Sequence, residues 1–332
     1  MLQPGAYSKV FILADTNTAQ YCLPQFLQQL ATETGIEIIE IEPGEANKNI
    51  ETCTGVWSAL AELGADRKSI MINLGGGMVT DLGAFIASTF MRGIDYINVP
   101  TSLLAMVDAS VGGKTGVDLD NLKNYIGVFS TPKAVIIDIG FLETLAQEEM
   151  RSGLAEMLKH GIIADRSYWN NFTDLSGLTT DDLAAFIHRS VEIKNEIVLA
   201  DPKELDERML LNFGHTIGHA VESYFLGNVE KQTLLHGEAV AVGIIIESCI
   251  AHEKGLLGIE EYREIKEVVS SIFPKVVISP SDVENIISLL VHDKKNAFGR
   301  INFVLPESIG SAKIKQQAEN ALIYRAFEDY SG

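Results

Sequence analysis

Positive charge is scarce in this chain. Lysine and arginine together number 26 against 45 aspartates and glutamates, a formal net charge of −19 across 332 residues. Proteins that grip a nucleic-acid backbone concentrate cations, so no such partner is expected, and any anionic small molecule must meet a local cluster of Lys, Arg and His. Cysteine is equally sparse. Cys22, Cys53 and Cys249 form neither a CxxC pair nor an even framework, which excludes a disulfide scaffold, fits a reducing compartment and leaves all three as core residues. Long apolar runs are missing too: residues 239–246, ending at Glu247, fall far short of the ~20 a membrane span needs. Residues 1–9 lack a basic region leading into an apolar core. The expectation is therefore a cytoplasmic protein with neither a membrane nor a nucleic-acid partner. What remains is 46% hydrophobic and 21% charged, the composition of a globular chain whose length suggests about two domains.

The first half alternates apolar β-branched runs with segments of helical period. Residues 10–14, 37–41, 69–74, 96–99 and 134–139 read as buried strands, with 18–32 and 50–63 among the helices between them. That alternation predicts an α/β domain with a mainly parallel sheet over residues 1–146. Strand signals then fade. Helical patterns occupy 148–163, 180–199, 207–225 and 236–253, so residues 147–332 are expected to form a mostly α-helical domain. One late pair, 301–305 and 312–314, reads as a small hairpin.

Within 207–225, read as one helix, Arg208, Asn212, His215 and His219 are spaced four, three and four apart. At ~100° per residue those spacings place them within roughly 60° of one another. Met209, Leu210, Leu211, Phe213 and Ile217 cover the other faces, so the stripe should line a polar site rather than bulk water. Histidines at i and i+4 can hold one metal ion. Glu156 and Lys159 sit three apart in 148–163, an ordinary surface ion pair if taken alone. Beside the stripe, Glu156 could supply a carboxylate to two imidazoles, either His215 with His219 or one of these with His236, a donor set that suits a catalytic divalent ion. Spacing does not choose two ligands from the three histidines. His160, His188, His252 and His292 have no comparable setting.

In the α/β half, Gly75-Gly76-Gly77 follows a strand and opens a helix towards Asp81, a place where bare backbone amides and a helix N-terminus can meet a phosphate. It is not the GxGxxG fingerprint. Asp15, with Asn17 just beyond, ends the first strand, where a carboxylate can accept from ribose hydroxyls. Glu45 and Lys48 could take the same nucleotide, although solvated loop charge is the simpler reading of that pair alone. Together these cues favour a dinucleotide. Residues 107–117 read as a strand-like run ending in Gly112-Gly113-Lys114-Thr115; a P-loop would need glycine where Asp108 stands, so ATP binding fails on spacing. Lys114 stays a candidate for a substrate anion, with Asn124 a short loop away.

These motifs, in this order, resemble the 3-dehydroquinate synthase family of sugar phosphate cyclases. The resemblance spans nearly the whole chain: the triple-glycine turn to Asp81, Arg92-Gly93, Pro100-Thr101-Ser102-Leu103-Leu104, Asp108 with Gly112 to Gly116, Ser152-Gly-Leu-Ala-Glu156, Gly214-His-Thr-Ile-Gly-His-Ala220, Leu235-His-Gly-Glu238 and Asp293-Lys294-Lys295. It implies a Rossmann-like domain followed by a helical one, a lyase of the shikimate pathway serving aromatic amino acid biosynthesis, NAD, and a divalent metal with zinc expected and cobalt the alternative. By that similarity the metal ligands are Glu156, His215 and His236. His219, Lys114, Asn124 and one lysine of Lys294 and Lys295 are assigned to the substrate phosphate. Asp108, Lys159, Lys194, Arg208 and Asn212 are assigned to its hydroxyls and carboxylate, and Glu204 to proton transfer. Asp15, Asn17, Glu45, Lys48, Gly76, Gly77, Asp81, Thr101, Ser102, Lys123 and Thr144 match NAD contacts. Arg92 matches an arginine that reaches a neighbouring subunit, which implies a homodimer. The alternatives are a cyclase acting on another sugar phosphate and a metal-dependent polyol or alcohol dehydrogenase of the same fold.

Overall fold

Short aliphatic runs buried on both faces suit parallel strands, and long amphipathic or wholly apolar runs suit helices. The computed structural model describes residues 5–120, 122–292 and 301–332, and the chain divides into two units, Met1–Ala146 and Gln147–Gly332. In chain order the first runs β1 (Val10–Asp15), α1 (Thr16–Tyr21), α2 (Leu23–Gln29), β2 (Ile36–Ile41), α3 (Ile50–Glu62), β3 (Ile70–Gly75), α4 (Gly77–Thr89), β4 (Asp95–Pro100), β5 (Lys114–Leu119), β6 (Leu122–Phe129) and β7 (Ala134–Val135). β2, β1, β3, β4 and β7 pair in that order, all parallel. Phe11 and Leu13 of β1 and Met71 of β3 meet Leu60, Leu82 and Ile86 in the core, each such side chain contributing roughly 1.5–3 kcal/mol by leaving water. Because β2 lies on one side of β1 and β3 on the other, the carboxyl ends of β1 and β3 flank a topological switch point, where α/β sheets take their ligands. Register aligns Ala14 with Leu74 and Gly75 with Pro100, so Asp15, Gly76 and Thr101 all emerge at that end.

Three expectations for this unit need correction. Residues 18–32 are not one helix: α1 ends at Tyr21 and α2 carries Pro24 in its first turn, where a proline cannot donate back into a preceding helical turn. The strand expected over 134–139 stops at Val135, and Asp138 accepts the Gly140 N–H (2.9 Å) to cap a 3₁₀ turn, Ile139–Thr144. Residues 107–117 do not open as a strand. Ala105–Ala109 is a π-helical turn, and extended structure starts only at Lys114, where β5 pairs antiparallel with β6 in a hairpin that the alternation missed.

The second unit comprises α5 (Gln147–Ala164), α6 (Arg166–Trp169), α7 (Thr180–Ala200), α8 (His215–Gly227), α9 (His236–Glu253), α10 (Ile259–Ile272), α11 (Pro280–His292), the hairpin β8 (Asn302–Ser308) with β9 (Ser311–Gln317), and α12 (Asn320–Ser331). α9, apolar around its whole circumference, is buried almost throughout and serves as the unit's central rod. α8 crosses it on bare backbone: a Cβ on Gly243 would overlap the Gly214 carbonyl, and one on Gly218 would sit 3.1 Å from the Ala239 oxygen. The single helix expected over 207–225 is two. Glu207–Asn212 forms a 3₁₀ turn, Phe213 is extended, and Gly214 adopts φ +76 before α8 starts at His215. Among the described residues no helix is long and apolar enough to cross a membrane.

Candidate active site

The break at Gly214 redistributes the polar stripe: Arg208 and Asn212 lie on the 3₁₀ turn, and His215 and His219 occupy the first two turns of α8. α9 brings His236 at its first position, and α5 brings Glu156 and Lys159. Glu156, Lys159, His215, His219 and His236 meet. His215 Nε2 lies 3.3 Å and His236 Nε2 3.7 Å from Glu156 Oε1, and the Lys159 ammonium pairs with Oε2. Donor nitrogens of His215, His219 and His236 all fall within 4.8 Å of one another. Glu156 and Lys159 are buried almost completely, so their pair is not the exposed surface bridge that spacing alone suggested.

Charge and tautomer at this cluster follow from its partners. His215 Nδ1 faces the Phe213 carbonyl at 3.0 Å, which places the proton there and leaves Nε2 as a lone-pair donor aimed at Glu156. His236 Nδ1 faces Glu222 Oε2 at 3.3 Å, and its Nε2 points towards Glu156 as well. Burial alone would raise the Glu156 carboxyl, but Lys159 and His215 hold it well below the usual range. Burial and the Lys159 charge push His215 down, whereas His236, despite its burial, is held up at about 9 by Glu156 and Glu222. A carboxylate oxygen and two imidazole nitrogens converging from three helices is a donor set that fits a tetrahedral divalent ion with a position left open.

Other assigned residues of this unit lie around that cluster or apart from it. Arg208 is buried, its Nη1 donating to the Pro202 carbonyl (2.8 Å). Asn212 donates to Glu204 Oε1 (2.7 Å), and Glu204 itself sits at φ +57. Lys194 is buried on α7. Lys294 and Lys295 lie outside the described residues. His160, without a role in the sequence reading, is wholly buried with Nδ1 2.7 Å from Ser190 Oγ.

In the first unit the glycine turn behaves as its position demands. Gly76 caps α4 with an extended backbone, and a Cβ on Gly77 would press on Ala109 at 3.2 Å. Thr101 donates its N–H to the Gly75 carbonyl (2.9 Å), with Ser102 following. Asp15 caps α1 by accepting from the Thr18 N–H (2.8 Å), and Asn17 is exposed beside it. Thr144 ends the 3₁₀ turn Ile139–Thr144, and Cys22, buried just after α1, has its thiol pushed up by burial. Lys48 is not a solvated loop charge. It is buried, 2.7 Å from Asp81 and 3.8 Å from exposed Glu45, and these acids raise its pKa against burial. Asp108 lies in the π-helical turn, Lys114 is exposed at the head of β5, and Lys123 and Asn124 follow on β6, with Asn124 at φ +49. Arg92 is exposed, at φ +69 between Met91 at +50 and Gly93 at +109.

Two supporting residues escaped sequence reading. Glu222 stands behind His236, and its signal was its place three residues after His219, one turn along the same helix face. Ser152, buried on α5, accepts the Gly237 N–H at 3.0 Å and so fixes the start of α9 at His236.

A parallel α/β unit with a glycine turn at its switch point, followed by a helical unit holding a carboxylate and converging imidazoles, is the architecture of the sugar phosphate cyclases. The solved structure of a 2-epi-5-epi-valiolone synthase from Streptomyces hygroscopicus, with NAD+ and Zn2+ bound, superposes with a TM-score of 0.87 at 27% identity, covering 98% of this chain and 91% of that one. A glycerol dehydrogenase from Schizosaccharomyces pombe shares the fold at a TM-score of 0.64 and 12% identity, covering 97% of this chain and 83% of that one. Residues 38–152 match the model of the 3-dehydroquinate synthase N-terminal family and residues 153–296 that of its C-terminal family. The 3-dehydroquinate synthase of Parabacteroides distasonis is 40% identical over 326 residues, covering 98% of this chain and 92% of the relative. That of Ruminiclostridium cellulolyticum is 38% identical over 330 residues, covering 98% and 90%. The chain belongs to the 3-dehydroquinate synthase family.

Proposed function

We propose that the protein is an NAD- and divalent-metal-dependent lyase. It converts 3-deoxy-D-arabino-heptulosonate 7-phosphate to 3-dehydroquinate and phosphate by oxidation, phosphate elimination, reduction, ring opening and aldol closure, as a step of the shikimate pathway. The observation that carries this reading is the convergence of Glu156, His215 and His236, with Lys159 and His219 alongside, in a chain of this family. Glu156, His215 and His236 would hold the ion, and the first unit's switch-point end, with Asp15, Gly76, Gly77, Asp81, Thr101, Ser102 and Thr144, would hold NAD. When bound, NAD supplies a reversible hydride acceptor and the metal a Lewis acid for a substrate hydroxyl.

The chain's own groups orient and charge the rest. The buried Lys48–Asp81 pair keeps a fixed dipole beside the glycine turn, and exposed Glu45, Asn17 and Lys123 would complete the nucleotide contacts. Arg208 offers the planar fork that fits a carboxylate, while Lys159 and Lys194 bring buried ammonium groups suited to substrate hydroxyls. Asp108 and Asn212 would take hydroxyls as well, with Asn212 steadied by Glu204, the residue assigned to proton transfer. His219 would bind the phosphate, as would Lys114, Asn124 and a lysine of Lys294 and Lys295. A dianionic phosphate so held can accept the proton whose removal starts its own elimination. Arg92 would serve a second copy of the chain in a homodimer, and the compartment is the cytoplasm.

The test is direct. Supplied with the heptulosonate phosphate and NAD, the protein should release phosphate and form 3-dehydroquinate only while divalent metal is present, with no net NADH. Absence of phosphate release, or a different carbocycle as product, would sink the reading; net NADH from an alcohol would favour a dehydrogenase instead.

A further inference from the structure

α8 opens on a residue that cannot cap it. Its N-cap, Gly214, has no side chain, and no acidic residue stands in the first turn. Buried N–H groups at a helix start must nevertheless find acceptors. They find them on a different helix. Glu247, wholly buried on α9, accepts the Gly214 N–H at Oε2 (2.8 Å) and the Ile217 N–H at Oε1 (2.9 Å). Ile217 is the third residue of α8, so the two bonds go to the N-cap and N3 amides, the pair that a capping box satisfies from within one helix.

The consequence lies in the peptide between Phe213 and Gly214. Its N–H is the one held by Glu247, and its carbonyl is the acceptor 3.0 Å from His215 Nδ1. A continuous line therefore runs from the Glu247 carboxyl through one peptide plane to the His215 ring, and from Nε2 of that ring to Glu156 Oε1 at 3.3 Å. Fixing that plane fixes the tautomer and direction of the ring, and an acceptor on the N–H strengthens the carbonyl that holds Nδ1. Gly214 is where such help is needed, because a left-handed glycine has more backbone states to lose than any other residue.

We propose that Glu247 is a positioning residue that sets His215 for metal binding through the Phe213–Gly214 peptide. This rests on the reading of His215 as a metal ligand. It also accounts for the one carboxyl in the run 239–251, apolar apart from Glu247 and Ser248, a placement that packing alone would disfavour.

The test compares Glu247→Gln, isosteric but with a donor facing one of the two amides, with a control in the same unit, Phe172→Leu, chosen for a comparable fall in Tm. Zinc affinity is read by chelator competition, amide exchange over residues 209–221 by mass spectrometry, and kcat apart from KM for NAD. Glu247→Gln should weaken zinc binding by about tenfold to a hundredfold, speed exchange at the start of α8, and lower kcat with KM for NAD unchanged. Phe172→Leu should leave zinc affinity as it is. In the unmodified protein, zinc should slow exchange over 209–221, as linkage requires, so the inference stays testable if Glu247→Gln does not fold. Zinc affinity of Glu247→Gln within about twofold of the unmodified protein, or exchange there indifferent to zinc, overturns the inference. If the unmodified protein binds no zinc, it is the metal reading itself that fails.

Discussion

Three imidazoles stand with ring centroids 5.1, 5.3 and 5.8 Å apart, yet they are not equivalent. His215 and His236 each have Nδ1 turned to an acceptor and Nε2 turned to Glu156, whereas His219 is half-buried one turn further along α8. That difference separates two variants. His236→Ala should lose bound metal and turnover together, and His219→Ala should keep stoichiometric metal while losing rate by at least about tenfold, a loss of the size seen when one positioned catalytic group is removed. Metal content by elemental analysis beside kcat checks both. Backbone strain marks other residues: Arg92, Asn124 and Glu204 are three of the six described non-glycine residues at positive φ. Strain of this kind gathers where function holds it in place. Nothing in residue order announces it, because φ is decided by the turn around each residue.

At the scale of elements, the helices that carry the cluster are anchored by polar residues at their ends. Asp282, in the first turn of α11, takes hydrogen bonds from Tyr224 of α8 (2.6 Å), Lys231 in the following loop (2.7 Å) and the Ser279 N–H (2.7 Å). Burial would raise its carboxyl, but these partners depress it strongly. A carboxyl whose folded pKa lies below its unfolded value stabilises fully above the unfolded pKa, ~3.9, and loses that contribution as pH falls towards the folded one. Asp282→Asn should therefore cost about 1–3 kcal/mol at pH 7, with the gap to the unmodified protein narrowing below pH ~4; denaturant melts at both pH values measure it. Elements also show where periodicity misleads. The spacing of His215 and His219 is truly helical, but extending that helix back to Arg208 ignored Gly214, whose left-handed backbone ends one element and begins another. Pro24 acted likewise between α1 and α2.

At the scale of the whole molecule, the proposed homodimer makes one sharp demand. If Arg92 works in the partner's site, then Arg92→Ala and Lys114→Ala, each of low activity alone, should complement when their subunits are exchanged. Each mixed dimer would keep one intact site, so a statistical mixture should recover about a quarter of full activity. No recovery on confirmed exchange would place Arg92 in its own subunit's site. The exposed setting and left-handed backbone of Arg92 are compatible with an outward reach.

The five strands of the parallel sheet, the apolar helix α9 and the family could be read from residue order, because buried strands and apolar helices write their burial in periodicity, and motifs in a fixed order identify a family. The glycine turn was legible for the same local reason, since a helix start after a strand is a matter of neighbours. Burial of Lys48 and of the Glu156–Lys159 pair was not legible, because spacing cannot distinguish an exposed ion pair from one sealed by other elements. Nor was the carboxyl of Glu222 behind His236, or the carboxyl of Glu247 across the start of α8. These depend on which helices cross and how closely, and that was settled by glycines such as Gly218 and Gly243 that let two backbones touch. Local pattern determined the elements; the long-range packing of α5, α8 and α9 determined which atoms of those elements face one another, and chemistry depends on that facing.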